Sequence, residues 1–383
     1  MKRRTFIKNT SAAFAGIALA GNNISCLSKK SSIKNKLPRW KGFNLLDYFS
    51  PFPNPKSEKN KTIEEDFRWM SGWGFDFVRL PLAYPRYVIF DHSKGMTPGD
   101  TCKFDEKILS EIDRLIYLAN KNQLHVSLNL HRAPGYCINS GFKEPFDLWI
   151  DNEAQDAFYV HWGMWAKRYK NISSKKISFD LLNEPSVRKD LNNQHSEKSP
   201  VPGELYRKIA LNASKIIFDA NPNHIIIADG NDVGNLIIPE IEDMNIAQSC
   251  RGYFPHHISH YKAPWVYKDP NLSPPPIWPG VADNQYYGKE QLEAYYKPWI
   301  ELINKGVGVH CGECGCWNKT PHEVFLSWFG DVLDILTSNK IGYALWNFRG
   351  EFGIMDSGRT DVKYEKWYNH DLDRKMLNLL ISH

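Results

Sequence analysis

Ile177-Ser178-Phe179-Asp180-Leu181-Leu182-Asn183-Glu184-Pro185 is an apolar, β-prone run that stops abruptly in Asn-Glu-Pro. It has the length and composition of a buried strand, and Pro185 cannot donate to a ladder that would continue it. A carboxyl group and a carboxamide therefore arrive together at the carboxyl end of a strand, the end where parallel α/β proteins place their ligands. By itself Asn-Glu-Pro is also a plain polar turn. A second run, Val307-Gly308-Val309-His310-Cys311-Gly312-Glu313, ends on a glutamate in the same way and favours the first reading.

Around these two runs the chain from Trp40 onward alternates short apolar stretches with longer helical patterns. The stretches are Gly42 to Leu46, Phe75 to Leu80, His125 to Leu130, Ile177 to Leu182, His224 to Ala228, Ile246 to Tyr253, Gly306 to Cys311 and Ile341 to Trp346. Helical patterns cover Asp105 to Asn122, Glu153 to Tyr169, Glu204 to Ala220, Lys289 to Asn304, His322 to Ser338 and, last, Tyr364 to Ile381. In the first of these, Ile108, Ile112, Leu115, Ile116 and Leu118 trace one apolar face. Eight strands alternating with helices, with no glycine-rich phosphate turn after the first, predict an α/β protein with a single (β/α)8 TIM barrel over residues 39–383. The Pro- and aromatic-rich insertion Trp265 to Tyr287 follows the sixth strand and is expected to cover the active face as a lid or wall.

The 383 residues, 42% hydrophobic and 13% aromatic, suffice for one barrel-sized core. Residues 1–20 read as a twin-arginine-type export signal, with Arg3-Arg4 ahead of the apolar run Ala12 to Ala20. That run is too short to span a bilayer, so no transmembrane segment is expected. Cys26 is a candidate lipid-attachment site, although Asn23 stands where a lipoprotein signal normally has an aliphatic residue. Residues 21–38, rich in Ser, Asn and Lys, read as a disordered linker. Loss of the signal's Lys2, Arg3, Arg4 and Lys8 takes the formal net charge from +5 to +1, which leaves nothing that points to a nucleic acid partner. Six further cysteines permit disulfides without specifying any. Glu313 lies inside the Cys311, Cys314, Cys316 cluster and no second cysteine cluster matches it, so a zinc site is not expected.

Glutamates at the ends of the fourth and seventh strands lie on roughly opposite sides of a barrel mouth. That suits two carboxyl groups ~5 Å apart, the separation at which one attacks a glycosidic carbon while the other handles the proton. Arg79, His131, Tyr253 and Trp346 belong to the same face. An arginine or tyrosine can aim a carboxylate, and a tryptophan offers a sugar ring an apolar platform.

The segments Val78-Arg79-Leu80-Pro81, Leu130-His131-Arg132-Ala133-Pro134-Gly135, Leu182-Asn183-Glu184-Pro185, Tyr253 to Trp265, Gly312-Glu313 and Ala344-Leu345-Trp346-Asn347-Phe348 resemble, in order, those of glycoside hydrolase family 5. The resemblance implies a retaining hydrolase of β-glucan-type or β-mannan-type poly- or oligosaccharide, with Glu184 as acid/base, Glu313 as nucleophile and no cofactor. It further implies that Asn183 holds the sugar 2-hydroxyl, Tyr253 bonds the nucleophile, Arg79 and His131 support the pair, and Trp346 floors the cleaved sugar. Arg251 departs from the family, which usually has histidine there. A fixed cation at that position is expected to lower the pKa of Glu184, or else to recognise an acidic substrate. A non-catalytic glycan-binding barrel is the competing reading, and it would need neither glutamate. A metallohydrolase built on His256, His257, His260 and the cysteines is a third, but those histidines fall in a segment the resemblance already covers. Oligomeric state, the sugar and the linkage are not legible.

Overall fold

The computed structural model describes residues 35–53, 61–191, 193, 195–269 and 274–383. The signal, Cys26 and most of the linker lie outside them. Eight parallel strands close into a barrel, each bonded to its neighbours in chain order. They are β1 (Lys41–Asn44), β2 (Phe77–Ala83), β3 (His125–Arg132), β4 (Ile177–Asp180), β5 (Ile225–Asp229), β6 (Ala247–Gly252), β7 (Val309–Cys314) and β8 (Gly342–Leu345). The pairing of β1 with β8 closes the ring. Each strand overlaps one of the eight apolar runs, because a strand buried on both faces needs apolar residues throughout.

Among the described residues seven helices of two turns or more wrap the barrel: α1 (Glu64–Gly72), α2 (Glu106–Lys121), α3 (Asn152–Arg168), α4 (Gly203–Ala220), α5 (Lys289–Asn304), α6 (His322–Ser338) and α7 (Arg374–Ser382). Between β5 and β6 only short turns stand in the place of a helix. Asp105 caps α2 by accepting from the Lys107 and Ile108 amides, and the helix buries Leu109, Ile112, Leu115 and Ile116 against the sheet. Among the described residues no helix is long and apolar enough to cross a membrane.

Three expectations are corrected. The ordered fold begins by Asn35 rather than Trp40: the Asn35 side chain donates to the carbonyls of Val309 and Lys340, and Leu37 is buried under the barrel with Trp40 and Phe77. The last helix starts at Arg374, since Glu365–Trp367 and His370–Leu372 pair as a hairpin and Asp373 caps the Met376 amide. Of the described residues of the insertion expected as a lid or wall, only Trp265, Val266 and Lys268 line the cleft. Its later part turns outward, where Trp278 donates to Asp331 of α6 and residues 280–287 form a second hairpin.

The barrel interior is layered. At the bottom Trp40, Phe77 and His125 stack, with Trp40 and His125 centroids 3.9 Å apart. Two residues up each strand the filling becomes polar, with Asn44, Arg79, Asp180, Asp229 and Arg251 all buried. The period-2 alternation of a strand places these side chains in the lumen directly below the two glutamates.

Candidate active site

Arg79 lies in the polar layer, beneath the rim rather than on it. Its guanidinium donates to Asp180 and Glu313 at 2.7 Å each, to Asn183 at 2.9 Å and to Asn44 at 3.1 Å. Arg251 is a second buried guanidinium beside it, donating to Glu184 Oε1 at 2.9 Å, Asn183 Oδ1 at 3.0 Å and Glu313 Oε1 at 3.4 Å, and gripping both oxygens of Asp229. Tyr253, just past β6, donates to the other oxygen of Glu313 at 3.2 Å. Asn183 therefore meets both arginines through its carbonyl oxygen, while its Nδ2 has no protein partner among the described residues.

Glu313 sits at a β-bulge. The register of β7 against both β6 and β8 slips around Gly312, which re-aims the following side chain into the lumen. Gly312 is needed there, since a Cβ would stand 2.6 Å from Ser249 Oγ and 3.3 Å from Arg251 Nη1. Glu184 is held differently. Its backbone has a φ of +47°, a left-handed conformation uncommon outside glycine. The Glu184 amide donates to Asp229 at 3.0 Å, and its carbonyl accepts from Tyr136 at 2.5 Å, so two buried groups fix that conformation.

Four carboxyl groups face two guanidinium groups in this layer, and buried like charges cannot all ionise together. Burial first, then the charge of Glu313, push Glu184 up to about 7, although Arg251 pulls the other way. Asp180 is also raised to about 7, by burial and by Asp229. Burial works to raise Asp229 as well, but Arg251 and Arg79 outweigh it and hold it below the usual carboxylate range. The expected lowering of Glu184 is thus present as a contribution of Arg251 and is outweighed. The alternative use of Arg251 fails, because its fork is already filled by Asp229, Asn183 and Glu184 and nothing is left for an acidic substrate.

His131 joins the site without touching either glutamate. Its Nε2 pairs with Asn139 at 2.8 Å, and its ring stacks on Trp346 at 5.5 Å. Burial and then Arg79 hold it well below the usual histidine range, so it is neutral in working conditions. Trp346 stands over a cleft of about 660 Å³ also lined by Phe49, Glu184, Arg188, Trp265, Glu313, Trp317 and Phe352. Among the described residues no group of three His, Cys, Asp or Glu side chains is placed to hold a metal ion, and the six cysteines from Cys102 onward are free thiols. His260 packs on Tyr253, Trp265 and Phe352 as an aromatic wall.

Sequence reasoning missed Asp180 and Asp229. Asp229 directly follows the run His224 to Ala228, so the signal used for Glu184 and Glu313, an apolar run ending in an acid, was present there too. Asp180 was visible as a charge inside an otherwise apolar strand.

A parallel eight-stranded barrel with two glutamates over its carboxyl end, held by arginines and flanked by aromatic side chains in an open cleft, is the architecture of a glycan hydrolase. The chain matches the family Cellulase (glycosyl hydrolase family 5) over residues 32–352, and it belongs to that family. It is 28% identical over 351 residues to Endoglucanase C of Acetivibrio thermocellus, covering 85% of this chain and 95% of that one. Cellodextrinase A of Ruminococcus flavefaciens is 27% identical over 308 residues, with 79% and 83% covered. A solved structure described as a glycoside hydrolase shares 35% identity and a TM-score of 0.79 over 90% of this chain and 99% of that chain. The protein is a glycosidase that hydrolyses O-glycosyl bonds.

Proposed function

We propose that the protein is a retaining β-glycanase working by double displacement, with Glu184 as acid/base and Glu313 as nucleophile. A β-glucan is the leading substrate, in keeping with the names of its relatives. The observation that carries this reading is the unequal treatment of the two glutamates. Glu313 receives hydrogen bonds from Arg79, Arg251 and Tyr253, while Glu184 is raised to about 7 and so keeps a proton to give near neutrality. In the first step Glu313 attacks the anomeric carbon as Glu184 protonates the departing glycosidic oxygen. Esterification removes the charge of Glu313, the largest neighbouring charge that raises Glu184, so the pKa of Glu184 falls. It then takes a proton from the water that releases the sugar. The unpartnered Nδ2 of Asn183 is a donor free for the sugar 2-hydroxyl.

The test separates the roles. Glu313→Ala should abolish covalent labelling by a 2-fluoro sugar inactivator, and Glu184→Ala should lose far more activity on poor leaving groups than on activated aryl glycosides. Equal losses of Glu184→Ala on both substrate types, or an α-anomer as first product by proton NMR, would refute the assignment. Export through the twin-arginine pattern is part of the same reading. Arg3→Lys with Arg4→Lys should leave the precursor in the cytoplasm on cell fractionation.

A further inference from the structure

The loop after Glu184 carries cations that the mechanism above does not use. Val187–Arg188 pairs antiparallel with Lys198–Ser199, and the register sets Arg188 directly opposite Lys198. Like charges facing each other across a strand pair destabilise it. Arg188 is only 5% exposed, yet its guanidinium meets two carbonyls, of Leu191 and Ile138, and its Nε has no partner. Four of the five other buried arginines among the described residues are better matched, and the fifth, Arg86, lies against the Tyr48 ring. Arg79, Arg132 and Arg251 bond carboxylates, and Arg359 has three carbonyls and the Phe325 ring. Among the described residues no carboxylate lies within ion-pair distance of Arg188 or Lys198.

Both side chains line the catalytic cleft, together with His256. Burial and then the charge of Arg188 lower the Lys198 amine, and burial and then Lys198 lower His256 to about 4, so the three groups share one region of the wall. The acids whose fields reach Lys198 are Glu184 and Asp232. A buried, uncompensated positive charge is costly. Breaks of local rules concentrate at functional sites, and this one lies inside the catalytic cleft.

We propose that this wall is an anion subsite on the leaving-group side of the bond cleaved, and that the preferred substrate is an acidic β-glycan bearing carboxylate or sulfate groups. The side follows from chemistry: the group that protonates the departing oxygen stands beside the departing sugar, and Glu184 is that group. The inference rests on the acid/base reading of Glu184 given above. Arg188 supplies a fixed cation with the terminal N–H groups that the Leu191 and Ile138 carbonyls leave over, and Lys198 supplies an adaptable point charge at the mouth.

Three probes test it: cellohexaose, cellohexaose oxidised at C6 to carry glucuronate units, and 6-O-sulfated cellohexaose. The wild type should favour one charged form over the neutral one by about tenfold in kcat/KM, and preference between the two charged forms identifies the anion. Lys198 as a whole residue is exposed, with its amine only partly shielded in the cleft lining, so Lys198→Gln should fold, and it should cut the charged-to-neutral ratio about tenfold, mainly through KM. Arg188→Gln should do the same or more, and added salt should shrink the preference. Calorimetric binding to Glu184→Gln, which does not depend on turnover, should show the same order of ligands. A wild-type ratio of one or less, or a ratio unchanged in both variants, would overturn the proposal and leave Arg188 as a tie between two loops. If the wild type cleaves none of the three while Glu184→Gln still binds a charged form more tightly, the glycosidase mechanism falls and the anion subsite stands.

Discussion

Replacing Arg251 by glutamine tests how the protonation of Glu184 is set. The guanidinium Nε donates to Glu184 Oε1 at 2.9 Å, and it is the main group that favours the ionised carboxylate against burial and Glu313. A charge-assisted hydrogen bond of this kind is worth about 1.5–3 kcal/mol, which at 1.36 kcal/mol per pH unit is about 1–2 units. Glutamine keeps a donor and removes the charge, so Glu184 should rise from about 7 by about that amount. An acid that must be protonated to work then stays active to higher pH. The basic limb of kcat/KM, measured on an aryl cellobioside, should move toward alkali by about 1–2 units. Arg251→Lys keeps the charge and should leave the limb nearly in place while lowering kcat through the lost fork. The glutamine variant also strands Asp229, whose remaining guanidinium partner is Arg79 at 3.4 Å, at a cost of about 3–5 kcal/mol in thermal or urea unfolding. A basic limb that stays fixed or moves toward acid in Arg251→Gln would refute the argument, whatever happens to stability.

Three further outcomes follow from the same geometry. Tyr253→Phe deletes a 3.2 Å hydrogen bond to Glu313 and should lower kcat about tenfold or more with little change in unfolding midpoint. Gly312→Ala puts a methyl against Ser249 and Arg251, and should cost more in kcat than in stability, because the displaced groups position the glutamates. Glu184, raised from 4.5 to about 7, holds its proton more tightly folded than unfolded, so its contribution to stability is present at low pH and lost as pH rises through about 7. Glu184→Gln has no proton to lose. It should be more stable than wild type at pH 8 and lose that advantage by pH 5, and a constant difference across that range would contradict the raised pKa.

The sequence by itself determined the strands and the two glutamates. Burial on both faces of a parallel strand forces an unbroken apolar run, and a Pro or a polar residue ends it, so both signals are local and stand at Leu182-Asn183-Glu184-Pro185 and again at Gly312-Glu313. Tertiary structure decided how the inward-facing residues of different strands meet. That Arg79 of β2 reaches Asp180 of β4 and Glu313 of β7, or that Arg251 spends its fork on Asp229, depends on the relative height of strands around the closed ring, which no single run encodes. The same holds for the chain ends. Asn35 reads as part of a polar linker until the carbonyls of Val309 and Lys340 are brought to it, and Tyr364 to Leu372 read as helix until Met355 and Glu365 offer Leu372 bridge partners. A charge on one strand acquires its pKa and its role only from charges that arrive from others.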